Sequence, residues 1–282
     1  MEKQFPRTIV GGKSVSRMLI GTNWMLGYSH RTPSADRSIR NRYSCPEAFL
    51  PMFEAYLQYG IDTVMAPMDD PMVEAVKYAE DKLGKKIIMI DTPQFNVDNN
   101  EAARREAEAR IKKSAKNGCD FLLIHHASAE QLVNKNLGII DRLDDYTKMI
   151  RDAGMIPGLS AHMPELITYT DNNGYDIETY IQIFNCMGFL MQVEIESVAR
   201  IIWNAKHPVM TIKPFAAGRC TPFVGLNFNW NVIRDCDMIT VGANSAAEVH
   251  EDVEISFAAL ERRMANIEGR SSPFKQAVLG HK

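Results

Sequence analysis

Eight short β-rich runs, each followed by a helical pattern, constrain this chain more than any other feature of its sequence. They fall at residues 18–21, 61–66, 86–90, 121–124, 155–160, 179–184, 209–212 and 238–241. The fourth is wholly apolar, Phe121-Leu122-Leu123-Ile124, and two adjacent histidines, His125 and His126, close it. A run without a polar break suits a strand buried on both faces, as in a parallel sheet. Helical patterns separate the runs, at residues 46–59, 72–83, 99–117, 137–153, 164–173, 193–205 and 223–234, and a final helix follows Ser245 as its cap. Gly60, Gly84, Gly118, Gly154 and Gly174 stop five of them, and Pro46 and Pro71 open two, the asymmetry expected of helix ends. Strands alternating with helices imply a parallel α/β sheet, and eight of them imply a (β/α)8 TIM barrel.

The 282 residues fit one such barrel, so residues 1–282 are read as a single domain. Residues 1–17 are expected to form an N-terminal hairpin turning at Gly11-Gly12. Residues 25–44, polar and bearing Tyr28, His30 and four arginines, are expected to form a long loop over the barrel mouth. Residues 269–282 read as a terminal extension.

Composition narrows the function classes. A net charge of −3 gives no basic footprint for nucleic acid. No run approaches the ~18 apolar residues of a membrane span, and the polar start from Met1 to Arg7 does not read as a signal peptide. Five scattered cysteines, in no CxxC pair, read as reduced thiols of a cytoplasmic protein. A small-molecule substrate is the partner this leaves, with no nucleic acid and no membrane. Nothing in the sequence indicates an oligomeric state.

A barrel holds its site at the C-terminal ends of its strands. Read in order, those ends deliver Asn23 and Trp24, Asp69 and Asp70, Asp91 and Gln94, His125 and His126, His162, Gln182 and Asn185, Lys213, and Asn244 and Ser245. Strand alternation is expected to point His125 to the barrel axis and His126 to the helix layer. Asp70 before Pro71 reads as a helix cap. Lys213 is the one lysine at a strand end; an imine-forming nucleophile, an anion clamp and an ion-pair partner are its three readings. Two glycine-bearing stretches, residues 214–219 with Gly218 and Arg219, and residues 241–245 with Gly242, Asn244 and Ser245, occupy the places where barrels bind phosphate.

Several stretches, in order along most of the chain, resemble the aldo-keto reductase superfamily. Residues 14–22 resemble the approach to its first strand, and Gly60-Ile61-Asp62-Thr63 its second-strand motif. Residues 120–125 resemble its fourth strand, Gly158-Leu159-Ser160 its fifth, and Gln182 its sixth-strand glutamine. Residues 214–218 and 240–253 resemble its two cofactor-phosphate stretches. The resemblance implies a barrel fold. It also implies catalytic roles for Asp62 and His125, and an NAD(P) site drawn from Ser160, Gln182, Gly218, Arg219, Gly242, Asn244 and Ser245.

The sequence also departs from the family. Val64 to Asp70 contains no tyrosine where the family has its acid. The third run ends Ile90-Asp91-Thr92 where the family has a lysine, and an aspartate there would repel a developing alkoxide. Asp69, Asp91, His125 and His162 instead offer oxygen and imidazole donors suited to a divalent metal. Three readings follow. The first is a barrel enzyme, possible metal assistance included, acting as a lyase, isomerase or epimerase on a sugar-like or phosphorylated substrate, with Asp62, His125 and Lys213 as its reactive groups. The second is an NAD(P)H oxidoreductase with an atypical acid, for which Tyr28 is a candidate. The third is a non-catalytic ligand-binding barrel.

Overall fold

A computed structural model describes residues 3–267, so the 269–282 extension lies outside the described residues. Eight parallel strands close in chain order into a barrel: β1 (Met18–Gly21), β2 (Thr63–Ala66), β3 (Ile88–Asp91), β4 (Phe121–Ile124), β5 (Ile156–Ala161), β6 (Thr179–Ile183), β7 (Val209–Ile212) and β8 (Met238–Val241). β8 returns to pair with β1, Thr240 opposite Leu19. Around them run α1 (Pro33–Arg42), α2 (Leu50–Gln58), α3 (Asp70–Leu83), α4 (Glu101–Asn117), α5 (Leu143–Asp152), α6 (Glu165–Asn173), α7 (Ile195–Asn204), α8 (Pro222–Val232) and α9 (Ala246–Glu261). The (β/α)8 architecture expected from the sequence is the one observed. No helix among the described residues is long and apolar enough to cross a membrane.

Two apolar layers result from strand alternation. Leu19, Met65, Ile90, Phe121, Leu123, Ile181, Met210 and Met238 pack together inside the barrel. Ile20, Val64, Met89, Leu122, Leu159 and Tyr180, their neighbours in sequence, face the helices in a larger core. Gly158 is an inward position left empty of side chain, because Leu123 fills its space: a Cβ there would lie 2.4 Å from Leu123 Cγ.

The hairpin Arg7–Val10 against Lys13–Ser16 closes the N-terminal end, its Val10 and Val15 joining the interior cluster. Ion pairs tie it to the strand starts: Arg7 to Asp62 at 3.0 Å, and Lys13 to Asp120.

Two segments differ from the sequence reading. Residues 25–44 carry a helix, α1, where an irregular loop was expected. Thr32 Oγ1 accepts the Ala35 N–H at 3.1 Å and Pro33 stands in the first turn. Asp36 accepts both the N–H and the hydroxyl of Ser29, at 2.9 and 2.6 Å. Ile39 is its one buried residue, so capping and not an apolar stripe defines this helix. The second is the start of the 137–153 helix. Val133–Asn134 pairs with Ile139–Ile140 in a small hairpin turning through Gly138 (φ 64°), and α5 begins at Leu143.

Candidate active site

β4 ends at Ile124, and the chain turns at once into a short helix, His126–Ala129. His125 caps that helix, its Nδ1 accepting the Ala127 N–H at 3.3 Å. His125 stands one residue beyond the strand whose Phe121 and Leu123 face the barrel interior. His126 was expected to face the helix layer, but alternation ceases where the strand does. Its ring instead stacks on that of His162, centroids 3.7 Å apart and planes 18° apart, while His125 lies 4.2 Å from His126 on the other side. Two anchors fix this row of three imidazoles. Glu130 accepts the backbone N–H groups of His162 and Met163 at 2.6 and 2.9 Å. Ser128 both accepts the Phe95 N–H and donates to the Phe95 carbonyl, tying the loop after β3 to the turn after β4.

Electrostatics keep the row uncharged. Burial lowers His125 to about 4, helped by His126. Burial likewise takes His162 to about 4, with His126 and Lys213 acting the same way. His126 is also lowered, by burial and by Lys213, against the pull of Glu130. At neutral pH each ring therefore presents one N–H donor and one nitrogen acceptor.

Lys213 faces this row from the end of β7. Its backbone is left-handed (φ 61°), and its Nζ lies 2.8 Å from His30 Nε2. Burial lowers its pKa, and burial followed by the Lys213 charge lowers that of His30. His30, itself left-handed (φ 54°), comes from the segment before α1, so that segment reaches the mouth. Arg42 at the end of α1 adds a second tie, donating to the Asn244 carbonyl and side-chain oxygen, both at 2.9 Å. Sequence reasoning set His126 at a strand end but facing the helix layer, and His30 on a loop over the mouth without a role; the Thr32-Pro33 cap was the legible sign that the segment carrying His30 is ordered.

The carboxylates expected at the mouth are elsewhere. Asp62 precedes β2 and pairs with Arg7 of the N-terminal hairpin. Four residues of strand, about 13 Å at ~3.3 Å per residue, separate it from the C-terminal end. Asp91 shares the outward alternation of Met89, is fully buried, and is bound by Arg110 and Ser114 of α4 and by the Met68 N–H. Asp69 takes the cap position of α3, exposed and without a side-chain cap bond, and Asp70, expected as the cap, is the first helical residue and pairs with Lys113. Asp69, Asp91, His125 and His162 thus do not meet. No group of three His, Cys, Asp or Glu side chains among the described residues converges on a cation position.

The residues expected to hold NAD(P) are also dispersed. Ser160 is buried on the inward face of β5. Gln182 shares the outward alternation of Tyr180, donates to the Ile183 carbonyl at 3.2 Å, and leaves its Oε1 without a hydrogen-bond partner. Gly218 is exposed and left-handed (φ 82°). Arg219 donates to the Ala216 carbonyl, and its guanidinium lies 3.9 Å from the Phe189 ring centre. Gly242 faces Gly21 and Trp24 across the β8–β1 seam. Beyond it the helix start is filled by its own side chains: Glu248 accepts the Asn244 N–H at 2.7 Å, and Ser245 accepts the Glu248 N–H at 3.3 Å. In this conformation the exposed Glu248 side chain, and not a bound anion, takes the Asn244 N–H at that helix start.

Two clefts, of about 340 and 440 Å³, lie beside the loops following β3 and β4, lined by Asn99, Gln131 and Arg142 and by Gln94, Phe95 and Glu106. Neither is lined by the histidines or by Lys213.

No protein-family model matches this sequence, and no curated protein matches it. Among solved structures, the chain is similar to a Pseudomonas aeruginosa protein assigned to the aldo-keto reductases, with a TM-score of 0.66 at 12% identity, over 92% of this chain and 97% of that one. It is also similar to an aldo/keto reductase from Brucella melitensis, with a TM-score of 0.58 at 12% identity, over 92% and 99%. A third is an aldose reductase from Giardia lamblia, with a TM-score of 0.56 at 12% identity, over 94% and 90%. At such identities the likeness is one of fold: this chain has an aldo-keto-reductase-like barrel.

Proposed function

We propose that this chain is a barrel enzyme that binds a small polar carbonyl compound, sugar-like or phosphorylated, at its C-terminal mouth and moves a proton on it. That makes it a lyase, isomerase or epimerase. The observation that carries the reading is a row of three neutral imidazoles at the mouth within electrostatic reach of the one strand-end lysine, Lys213. Asp62, the other residue of the family's tetrad type, lies at the opposite end. A neutral imidazole donates a hydrogen bond to a carbonyl oxygen and keeps donating as that oxygen becomes an enolate. His125 and His162 suit that role, since imidazoles lowered to about 4 are weak proton acceptors at neutral pH. His126, beside Glu130, is the ring placed to shuttle the proton. No step is routed through a metal: Asp91 is held by Arg110 and Ser114, and among the described residues no three His, Cys, Asp or Glu side chains converge on a cation position. The chain works as one domain, in the cytoplasm, with the 25–44 segment closing on the mouth through His30 and Arg42.

The NAD(P)H-reductase reading has the barrel in its favour and the Glu248-filled helix start against it. A barrel that only binds would have no need of an amine and three imidazoles held away from water. Proton NMR in D2O with dihydroxyacetone as probe tests the proposal. Protein-dependent loss of its carbon-bound protons is the expected result. Saturable NADPH binding with no such exchange would transfer the function to the reductase reading.

A further inference from the structure

Lys213 differs from most paired lysines of the described residues; Lys85 and Lys206 meet backbone carbonyls. Lys3, Lys13, Lys86, Lys112, Lys113 and Lys148 each meet a carboxylate. Lys213 has no carboxylate within ion-pair distance among the described residues, and its hydrogen-bond partner is an imidazole. A half-buried ammonium with no counter-ion is costly, whereas a half-buried free amine is not.

The backbone also directs it. Ile212 packs against the barrel interior, so alternation alone would send residue 213 to the helix layer. The left-handed turn at Lys213 breaks that alternation, and Ala216 (φ 50°) and Ala217 (φ 56°) continue the strained path. Each such residue costs about 1–3 kcal/mol, and strain of this kind persists where surrounding structure enforces it. The enforcement is visible: α8 packs so closely on the loop that a Cβ on Gly225 would lie 2.5 Å from the Pro214 carbonyl oxygen. The result sets the Nζ 2.8 Å from His30 Nε2, close enough to His126 and His162 for its charge to act on both.

We propose that Lys213 is a nucleophile, its Nζ condensing with the carbonyl carbon of the substrate to give an iminium. This rests on the carbonyl reading above and supplies its covalent step. The Nζ lone pair forms the C–N bond while the carbonyl π pair moves to oxygen, and one of the two nitrogen protons passes to that oxygen, so the nitrogen regains its lone pair in the neutral carbinolamine. The carbinolamine then loses that hydroxyl, with a second proton, as water, and the nitrogen lone pair closes the C=N bond. The iminium withdraws electrons from the adjacent carbon, whose proton passes to a neighbouring imidazole and returns from it. Burial favours the free amine, in keeping with the role.

The test uses the full chain at pH 7 with glycolaldehyde and cyanoborohydride, which delivers hydride to an iminium carbon and fixes it as a secondary amine. Labelling is then read lysine by lysine by peptide mass spectrometry. Lys213 is expected to label faster than exposed Lys112 and Lys148, since its amine faces an imidazole while theirs are held as ammoniums against Glu108 and Asp152. Labelling of Lys213 no faster than those two overturns the proposal. Dihydroxyacetone exchange in D2O is followed alongside, in the wild type and in Lys213→Arg, with circular dichroism to confirm folding. Exchange that survives in Lys213→Arg assigns a charge role instead and also overturns it, leaving the carbonyl reading intact. Absence of both exchange and preferential labelling removes the two together.

Discussion

Replacing Asp91 by alanine is expected to unfold the protein more readily while leaving any response to divalent cations unchanged. The carboxylate is fully buried and accepts from Arg110 at 2.8 Å, Ser114 Oγ at 2.6 Å and the Met68 N–H at 2.9 Å. Removal strands the Arg110 guanidinium, half-buried on α4, with no counter-charge and leaves the Met68 N–H unpaired, while the Ser114 hydroxyl keeps the Arg110 carbonyl as acceptor. Breaking a buried pair from one side costs about 3–5 kcal/mol. For a chain of this size that corresponds to a fall in Tm on the order of 10 °C. Asp91→Leu combined with Arg110→Met should recover much of the loss, because the stranded charge goes with its partner. Thermal melts in EDTA, and again with Mg²⁺ or Mn²⁺, measure both effects. A loss below about 1 kcal/mol, or a metal-induced gain in the wild type that Asp91→Ala abolishes, would refute the assignment and return Asp91 to the mouth.

Three further outcomes follow from the packing and the titrations. The folded-state pKa values of His125 and His162, about 4, lie below the unfolded value near 6.5, so their contribution to stability is present above about pH 6.5 and lost as pH falls toward 4. His125→Gln and His162→Gln should each flatten that acid limb by up to about 1.4 kcal/mol per pH unit, measured by urea denaturation from pH 4 to 7. Asp252 has the opposite sign: burial, with Glu248 and Glu251, raises it to about 8, so its contribution is complete below about pH 4 and lost as pH rises through 8. Asp252→Asn should therefore gain stability over the wild type at pH 9 but not at pH 4, and equal gains at both would sink that explanation. Gly158→Ala should cost about 1–3 kcal/mol by overpacking, since the new methyl would meet Leu123 Cγ at 2.4 Å and Thr179 Cγ2 at 3.0 Å. A melt unchanged from wild type would show that the interior yields.

The barrel was legible because its signals are local and repeated. Four strands, β1, β4, β7 and β8, begin and end at the residues where the apolar runs do, and Gly84, Gly118 and Gly174 stop their helices in left-handed conformations. The site was legible in part. His125, His162 and Lys213 stand at strand ends and come together, as their positions indicated. Asp62 and Asp91 did not follow, each for its own reason. Strand β2 starts after Asp62, so the motif that suggested a catalytic role sits one strand-length too low. Asp91 is at a strand end but on the wrong parity, and its partner Arg110 lies on α4, a pairing no local pattern announces. Parity likewise removes Gln182 from the mouth. The partners of His30 and His126, Lys213 and His162, were not legible, because they depend on capped turns at Thr32 and His125 and not on apolar periodicity.

Whether chemistry resides at the mouth is decided most directly by comparing dihydroxyacetone deuterium exchange across variants at the two ends of the barrel. His125→Gln, His162→Gln and Lys213→Met, each confirmed folded by circular dichroism, are expected to lose about 10²-fold or more of the wild-type rate, the scale on which positioned proton carriers and donors act. Asp62→Asn, which disturbs the pair with Arg7 and the bond from the Thr63 hydroxyl at the closed end, is expected to keep the wild-type rate. Loss of exchange in Asp62→Asn with the mouth variants unaffected would place the chemistry with the family's tetrad position and contradict the assignment of the histidine row.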